Sequence, residues 1–498
     1  MRGAAPTIRP VTALVRGLHY AAVPPFRRVL SASLAALLVS GACARTTPPV
    51  APAPPAPTIA ERLGAWPFLT TIDAPSTVAL TAGGEVAADP ASCGACHVDH
   101  YAEWQQTTHA SAIHDLQYLA ELAKPGQPRW LCLNCHAPTQ PQRSTLVTPE
   151  TPFVSGDSVV TLVGVANPGF LPERAAEGIG CATCHVRRDD DGAGIVVGPR
   201  GSGRAPHRVR VDRGALVGIC TQCHSPGAVE ITPTFVCWFE TAQEIAAGPQ
   251  PTAACVECHM PEIDRPAVTG GPSVPLRRHV WVGGGVPKNA AAYDTLLDRG
   301  WESGVEAKVL RDPIRVSLAN TRAAHMIPTA DPERFLRVEA RLEDAAGSVL
   351  VRDVVRIGQT WDWGDDATGR RARRLTDNRL LPGEVREWRP HLDTTGAARL
   401  VVEVAHVRLT PANAGWASGA RLDEELVRLW PEAPGLLPGL SLHYPLATWI
   451  YAETIDLAGG ARTVSPPAEL IGRSKAFMAR PLVEKEAALA PGVFPEGE

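Results

Sequence analysis

The carboxyl-terminal part of the chain alternates apolar and polar residues with the period of a β-strand. Alternation over four or more residues predicts strands with one buried face. The segments with this pattern are 313–320, 334–344, 347–358, 383–392, 398–409 and 445–457. The sequence "EDAAGS" between the second and third segments predicts a hairpin turn, and "LDEELVRLW" at 422–430 predicts a helix. Several strands joined by turns predict an antiparallel β-sandwich over 286–475.

The part before it, 61–285, has a different character, because Gly and Pro interrupt it often. Its one extended helical pattern runs from about Asp99 to Ala123 and ends before Pro125. We therefore expect an α+β protein in which an irregular, mainly helical domain precedes the β-sandwich. Residues 476–498 are expected to form a loosely ordered tail.

The amino terminus has the pattern of an export signal over residues 1–43. Arg27 and Arg28 precede the apolar run "VLSASLAALLV" and the small residues "SGACA". This apolar run is too short to span a bilayer. "SGAC" resembles a bacterial lipobox, so two alternatives stay open: lipidation of Cys43, or ordinary cleavage just beyond it. The Pro-rich residues 44–60 favour a stiff tether. If Cys43 is lipidated, this lipid would be the protein's attachment to a membrane.

The cysteines are the residues most indicative of a chemical function. Ten of the twelve form five Cys-x-x-Cys pairs, and each pair is followed at once by His: "CGACH", "CLNCH", "CATCH", "CTQCH" and "CVECH". Only 15 of the 498 residues are His, so five such coincidences are not chance. Zinc ribbons and redox dithiols use the same Cys spacing but do not require the His. The pattern is that of c-type haem attachment.

The chemistry of attachment explains the spacing. The two thiols add to the two vinyl groups of haem, and the adjacent His supplies the proximal iron ligand. The sequence thus predicts five haem c groups. Their expected thioether residues are Cys93, Cys96, Cys132, Cys135, Cys181, Cys184, Cys220, Cys223, Cys255 and Cys258, and their proximal ligands are His97, His136, His185, His224 and His259. The 167 residues from Cys93 to His259 are too few to enclose five haems in a side-chain core, so we expect the haems to form the core.

The sixth ligand of each iron decides its role. A second His or a Met makes an electron-transfer centre, and an open position allows substrate to bind. Of the four Met, Met1 belongs to the leader and Met260 adjoins His259, which argues against Met ligation. The distal candidates are His109, His114, His207, His279 and His325.

The positions of three of these histidines in the chain suggest which irons they could reach. His109 and His114 lie five positions apart on the predicted helix, about 140° round its axis, so they could address two different irons. His325 would supply a ligand from the β region to the haem region. His100 is expected on the wrong side of its own haem, and His391, His406 and His443 are expected to be surface or packed side chains.

"CGACHVDHYAEWQQTTHASA" resembles the opening of multihaem cytochromes related to the tetrahaem cytochrome c and hydroxylamine oxidoreductase of nitrifiers. "GIGCATCHV", "CTQCH", "CVECHMP" and "RRHVWVGGG" are similar to segments of the same group. "AAHMIPTADPERFLRVEARLEDAAG" resembles a Gly-His-x-x-Pro-Thr-Gly stretch that opens the β domain in many members, with Ala324 and Ala330 in place of the glycines. The resemblance covers roughly 90–350 and implies that His109, His279 and His325 are distal haem ligands.

The sequence is compatible with three functions. The favoured one is a periplasmic or outer-membrane-attached electron carrier with mostly bis-His haems and redox partner proteins, because enough histidines exist to fill all five irons. The second is a multihaem oxidoreductase with one open haem that acts on a small nitrogen or sulfur compound. The third is a structural conductor in an outer-surface assembly. A net charge of −4 argues against a nucleic-acid partner.

Overall fold

The structure is a computed structural model. It describes Thr58 and residues 72–124, 129–148, 151, 153–155, 160–162, 164–201, 205–225, 227–230, 236–281, 285–288, 290–365 and 368–490. Pro55–Glu498 form one compact unit. The expected export signal, Cys43 and all of the tether except Thr58 lie outside the described residues. None of the helices in the described ranges is long and apolar enough to cross a membrane.

Short helices are distributed over the whole described chain. The α-helices are α1 (Pro90–Gly94), α2 (Val98–Gln105), α3 (Leu116–Leu122), α4 (Arg129–His136), α5 (Cys181–His185), α6 (Arg213–His224), α7 (Thr241–Ala247), α8 (Cys255–His259), α9 (Pro411–Ser418), α10 (Glu424–Leu429), α11 (Ala433–Leu436), α12 (Leu440–His443), α13 (Pro467–Met478) and α14 (Leu482–Leu489). Single 3-10 turns lie at Gln140–Gln142, Pro172–Arg174, Ala290–Tyr293 and Leu437–Gly439.

The strands divide into two groups by position in the chain. Those of the amino-terminal half are β1 (Thr77–Ala79), β2 (Glu85–Ala87), β3 (Thr145–Leu146), β4 (Phe153–Ser155), β5 (Val160–Leu162), β6 (Val165–Ala166), β7 (Val186–Arg188), β8 (Gly194–Gly198), β9 (Val209–Val211), β10 (Gly227–Glu230), β11 (Val236–Phe239), β12 (Glu262–Pro266) and β13 (Ser273–Arg277). Those of the carboxyl-terminal half are β14 (Glu306–Leu310), β15 (Arg315–Ala319), β16 (Phe335–Glu343), β17 (Val349–Asp362), β18 (Arg373–Asp377), β19 (Val385–Trp388), β20 (Arg399–Val407), β21 (Ala447–Asp456) and β22 (Arg462–Val464).

The carboxyl-terminal strands form two antiparallel sheets that share one core. The larger has the order β18-β17-β16-β20-β21-β22, and the smaller has the order β14-β15-β19. Successive side chains of a strand point to opposite faces. On β16, Leu336, Val338, Ala340 and Leu342 therefore face the same core as Leu318 of β15. This confirms the α+β class, and the predicted strands and the "EDAAGS" hairpin between β16 and β17 are present.

Helices cover the other face of the larger sheet. Phe335 of β16 and Val407 of β20 pack there with Leu440 of α12 and Phe477 of α13. The expectation of a loosely ordered tail is wrong as far as Ala490, because α14 packs its Leu489 into the same cluster. Lys485 of α14 is also buried, and its Nζ donates to the Ser441 carbonyl at 2.9 Å.

The amino-terminal half is built from short helices and small sheets. The sequence pattern did not predict those sheets, which contain two or three strands each. The predicted helix from Asp99 to Ala123 is also wrong as one element, because the structure divides it into α2 and α3. The Thr107 hydroxyl donates to the Trp104 carbonyl at 2.7 Å and accepts from the Ala110 amide at 3.2 Å, which replaces helical hydrogen bonds. Asp115 then caps α3 by accepting from the Gln117 amide.

Candidate functional site: five Cys-x-x-Cys-His segments

Each Cys-x-x-Cys-His segment adjoins or forms a helix. The motifs at Cys181–His185 and Cys255–His259 are themselves α5 and α8, and His136 and His224 end α4 and α6. His97 is the residue before α2. Positions three and four apart lie on the same face of a helix, so both thiols and the histidine of a motif can address one haem. We name each site after its proximal histidine.

The imidazoles of the motifs are oriented by backbone carbonyls. The Nδ1 atoms of His97, His136 and His185 each lie 2.8 Å from a carbonyl oxygen, those of Ala267, Ala112 and Val197. An imidazole that donates through Nδ1 keeps the Nε2 lone pair for a metal. Burial lowers the pKa of His136 to about 4 and also lowers the pKa of His185, so both rings stay neutral and able to ligate.

Four of the five proximal imidazoles face a second imidazole at a common spacing. The ring centres are 6.4 Å apart for His97 and His207, 6.2 Å for His224 and His109, 6.1 Å for His185 and His279, and 6.3 Å for His259 and His325. Two imidazoles on opposite sides of one iron have metal–nitrogen bonds of about 2 Å each, with roughly 1.2 Å from nitrogen to ring centre. Their ring centres are then about 6.4 Å apart. The residues present therefore fit a haem iron between each pair.

The histidines that face the motif histidines come from separate parts of the chain. His109 lies in the turn between α2 and α3, where its carbonyl accepts from the Ile179 amide at 3.0 Å. His279 lies two residues after the end of β13, and its Nδ1 lies 3.0 Å from the Arg277 carbonyl. His325 belongs to the loop before β16, and its Nδ1 lies 2.9 Å from the Met326 carbonyl. In that loop, Ala330 adopts the left-handed φ of 67° in place of the glycine typical of the resembling proteins.

His114 does not fit the predicted role. Its side chain is exposed, and its ring lies against Trp430 with the centres 5.2 Å apart. The prediction depended on one continuous helix through His109 and His114, and that helix ends at Gln105. His136 has Tyr118 stacked on its ring instead, with the centres 3.6 Å apart. Of the imidazoles in the described ranges, none faces His136 at the spacing of the four pairs.

His100 has a position that the sequence did not indicate. Its ring lies 6.1 Å from that of His97 and 4.8 Å from that of His279, so it lies between the His97 and His185 sites. This spacing to His97 matches that of the four pairs, but His100 lies only three residues after His97, in the first turn of α2, which argues against the two rings on opposite faces of one haem. Burial, and then the charge of Arg265, lower the pKa of His100 to about 4. The expectation that it is not a distal ligand of the His97 site stays a prediction.

Neighbouring sites approach each other through their thiols. The thiols of Cys93, in the His97 site, and Cys181, in the His185 site, lie close enough to lower the pKa of Cys93 and raise that of Cys181. Likewise, Cys135 of the His136 site lowers the pKa of Cys223 in the His224 site, and Cys255 of the His259 site raises the pKa of Cys220. Cys184 of the His185 site interacts electrostatically with Cys223 of the His224 site. This contact connects the His97 and His185 sites to the other three. The attachment edges of neighbouring haems would therefore lie close together.

A group of cations surrounds Arg334, whose charge acts on His224. Lys288 forms an ion pair with Asp115, whose other oxygen accepts from the Tyr444 hydroxyl at 2.8 Å. Burial lowers the pKa of Arg334, and the Nε atoms of Arg334 and Arg408 lack a hydrogen-bond partner in the described part of the chain. Haem carries two propionates, and carboxylates of this kind accept from guanidinium N–H groups such as these two Nε atoms.

Comparisons with known proteins found one family match and one structural match. The family described as cytochrome c554 and c-prime matches residues 92–158, which contain the first two motifs. The crystal structure of a penta-heme cytochrome c552 from Thermochromatium tepidum aligns with 73% of this chain and 97% of that chain, at 19% identity and a TM-score of 0.44. A comparison with curated proteins found no match.

The five motifs and the family match support a multihaem c-type cytochrome, a class that transfers electrons through covalently bound haem. The closer relationship to the hydroxylamine oxidoreductase group stays a prediction.

Proposed function

We propose that the protein is an exported electron carrier with five covalent haems, four of them ligated by two histidines. The observation that carries this proposal is the common spacing of four proximal and four distal imidazoles, 6.1 to 6.4 Å between ring centres. The proposed pairs are His97 with His207, His224 with His109, His185 with His279, and His259 with His325. Irons with two imidazole ligands are saturated, so they exchange electrons without binding substrate.

The thiol contacts support a branched electron path. The His97 site contacts the His185 site, and the His185 site approaches the His224 site. The His224 site in turn contacts both the His136 and the His259 sites. Electrons that enter at the His97 end would reach the His224 haem and leave through either branch. Covalent haem attachment and the leader pattern support a periplasmic or outer-membrane-attached location, with redox proteins as partners.

A second function is favoured by the His136 site. Its imidazole has no facing imidazole partner in the described ranges, and Tyr118 stacks on its ring. An iron held only by His136 would keep an open position at one end of a branch. Such a haem could bind and reduce or oxidise a small nitrogen or sulfur compound, with the other four haems as its electron supply.

Two measurements test the proposals. The pyridine haemochrome assay should give five haems per chain, and replacing both Cys132 and Cys135 by Ser should remove one. Three haems or fewer would contradict the count. Electron paramagnetic resonance of the oxidised protein should show four low-spin irons and one high-spin iron. Azide should perturb only the high-spin signal, and five low-spin irons would exclude the open site.

The N-terminus has its own test. Mass spectrometry of the mature protein should find a chain that starts at lipidated Cys43 or a few residues beyond it. Retention of the segment Arg27–Val39 would contradict both alternatives.

A further inference from the structure

A buried carboxylate holds the loop of His279. Glu103 lies on α2, directly after the His97 site, and only 11% of its side chain is exposed. Its Oε2 accepts from the backbone amide of His279 at 2.7 Å. Arg265 donates to both carboxylate oxygens at 2.8 Å, and the Nε of Arg278 donates to Oε1 at 2.9 Å. These four hydrogen bonds fill the acceptor positions of the carboxylate.

A second buried carboxylate holds the loop of His325 in the same way. Glu244 lies on α7, between the fourth and fifth motifs, and only 5% of its side chain is exposed. Its Oε2 accepts from the amide of Met326 at 3.1 Å and from the Thr329 hydroxyl at 2.7 Å. Its Oε1 accepts from Arg379 at 2.5 Å. Arg379 also pairs with Asp377, at 2.9 Å for each of two hydrogen bonds.

We propose that Glu103 and Glu244 are matched positioning residues, which hold the loops of His279 and His325 so that each imidazole meets its iron. This inference rests on the proposed bis-His ligation of the His185 and His259 sites. In both cases a helix from one part of the haem region supplies the carboxylate, an arginine neutralises it, and a backbone amide of the histidine loop is its target.

The contacts connect each carboxylate to its imidazole in few steps. Glu244 accepts from the amide of Met326, and the carbonyl of the same residue lies 2.9 Å from Nδ1 of His325. Glu103 fixes the amide of His279, whose Nδ1 lies 3.0 Å from the Arg277 carbonyl two residues earlier. Partners beyond the metal ligand fix the orientation of an imidazole and its strength as a ligand. The sequence positions of the two glutamates gave no sign of this role.

Removal of the carboxylate should affect one defined haem. Replacement of Glu103 by Ala leaves the His279 amide and two arginines without their acceptor, so the loop can shift and the axial bond is weakened. Glu103→Gln keeps one carbonyl oxygen for the amide and should retain the axial bond. It removes a negative charge, however, and a negative charge favours the oxidised iron. The reduction potential of that haem should therefore rise. The same reasoning applies to Glu244.

The experiment compares the glutamate variants with the histidine variants in the full-length haem-loaded protein. In Glu103→Ala the low-spin signal that changes or disappears should be the one that His279→Ala removes. In Glu244→Ala it should be the one that His325→Ala removes. The Gln variants should keep every low-spin signal and raise one potential in a spectroelectrochemical titration. Haem content should stay at the wild-type value throughout.

Glu453→Gln is the matched control, because Glu453 is buried and paired with Arg462 in the β region but contacts neither histidine loop. It should leave the spectrum and all potentials unchanged. Wild-type spectra in both Ala variants, alongside a lost signal in the histidine variants, would overturn the positioning role and leave the ligation intact. Unchanged spectra in the histidine variants would overturn the ligation itself. If the Ala variants do not fold, Gln variants without any shifted potential would overturn the proposal.

Discussion

The imidazole of His325 lies almost parallel to that of His259, with ring centres 6.3 Å apart and an angle of 15° between the planes. Replacement of His325 by Ala removes one proposed axial donor and leaves Cys255 and Cys258 in place. Because thioether bonds hold the haem independently of the distal ligand, we expect all five haems to remain attached. One low-spin iron should become high-spin, and its reduction potential should change.

The expected size of the effect follows from the geometry. For Nε2 atoms on the line between the ring centres, subtracting roughly 1.2 Å at each ring leaves about 4 Å between the two nitrogens, which is room for two bonds of about 2 Å to an iron. An alanine side chain cannot span that distance, so the conversion of this iron should be complete. The loop itself should persist. It keeps the hydrogen bonds of Glu244 to Met326 and Thr329, and that of Asn320 to the His325 carbonyl at 2.8 Å.

The free energy of unfolding of His325→Ala should therefore be only slightly lower than that of the wild type. The variant loses the contact between Nδ1 and the Met326 carbonyl, about 1 kcal/mol, and the packing of one ring. Electron paramagnetic resonance of the oxidised protein measures the spin change, and added imidazole should restore the low-spin signal by filling the vacated space. His391→Ala is the control, because His391 is an exposed histidine of the same β region. An unchanged spectrum in His325→Ala would refute the reasoning.

Three further predictions use other parts of the molecule. His207→Ala should convert one iron from low-spin to high-spin, and a different one from that converted in His325→Ala. The double variant should show both changes. His114→Ala should leave the electron paramagnetic resonance spectrum unchanged. Leu342→Ala, at a fully buried position between the two sheets, should lower the free energy of unfolding in urea by about 2–5 kcal/mol without changing haem content. Burial and the charge of Asp331 raise the pKa of Glu333 from 4.5 to about 7, so the folded protein binds the extra proton between those values. The stability that this proton provides is present below pH 4.5 and is lost as the pH rises through 7. Glu333→Gln should therefore raise the free energy of unfolding by up to about 3 kcal/mol at pH 8. At pH 4 its free energy of unfolding should be close to that of the wild type.

The β region could be predicted from sequence because its pattern is local. Alternation along β16 and β20 reflects a sheet with one apolar face, and each strand shows that pattern without reference to its neighbours. The helix of 422–430 was also visible, and the structure places it at Glu424–Leu429. The tail was missed because α14 is stabilised by contacts with distant residues, such as that of Lys485 with Ser441.

The haem region could be predicted only at its motifs. Attachment imposes a fixed spacing, so each site was visible from five consecutive residues. The distal ligand has no such constraint, because the loop that carries it can come from anywhere in the chain. His207 is 110 residues from His97, and His325 is 66 residues from His259. The division between α2 and α3 was missed because Thr107 and Asp115 form side-chain hydrogen bonds that compete with the helix.

The proposed electron carrier has a large region without Cys-x-x-Cys-His motifs, and the structure offers a reason for it. The β region supplies the loop of His325, and it also supplies Arg379, which neutralises the carboxylate that holds this loop. Tyr444, from the same region, donates to Asp115, the residue that begins α3 beside the His136 site. If the His259–His325 pair binds iron as proposed, the strength of that bond depends on how the β region packs against the haem region. A partner that docks on the β region could then alter the potential of the His259 haem, and with it the branch by which electrons leave.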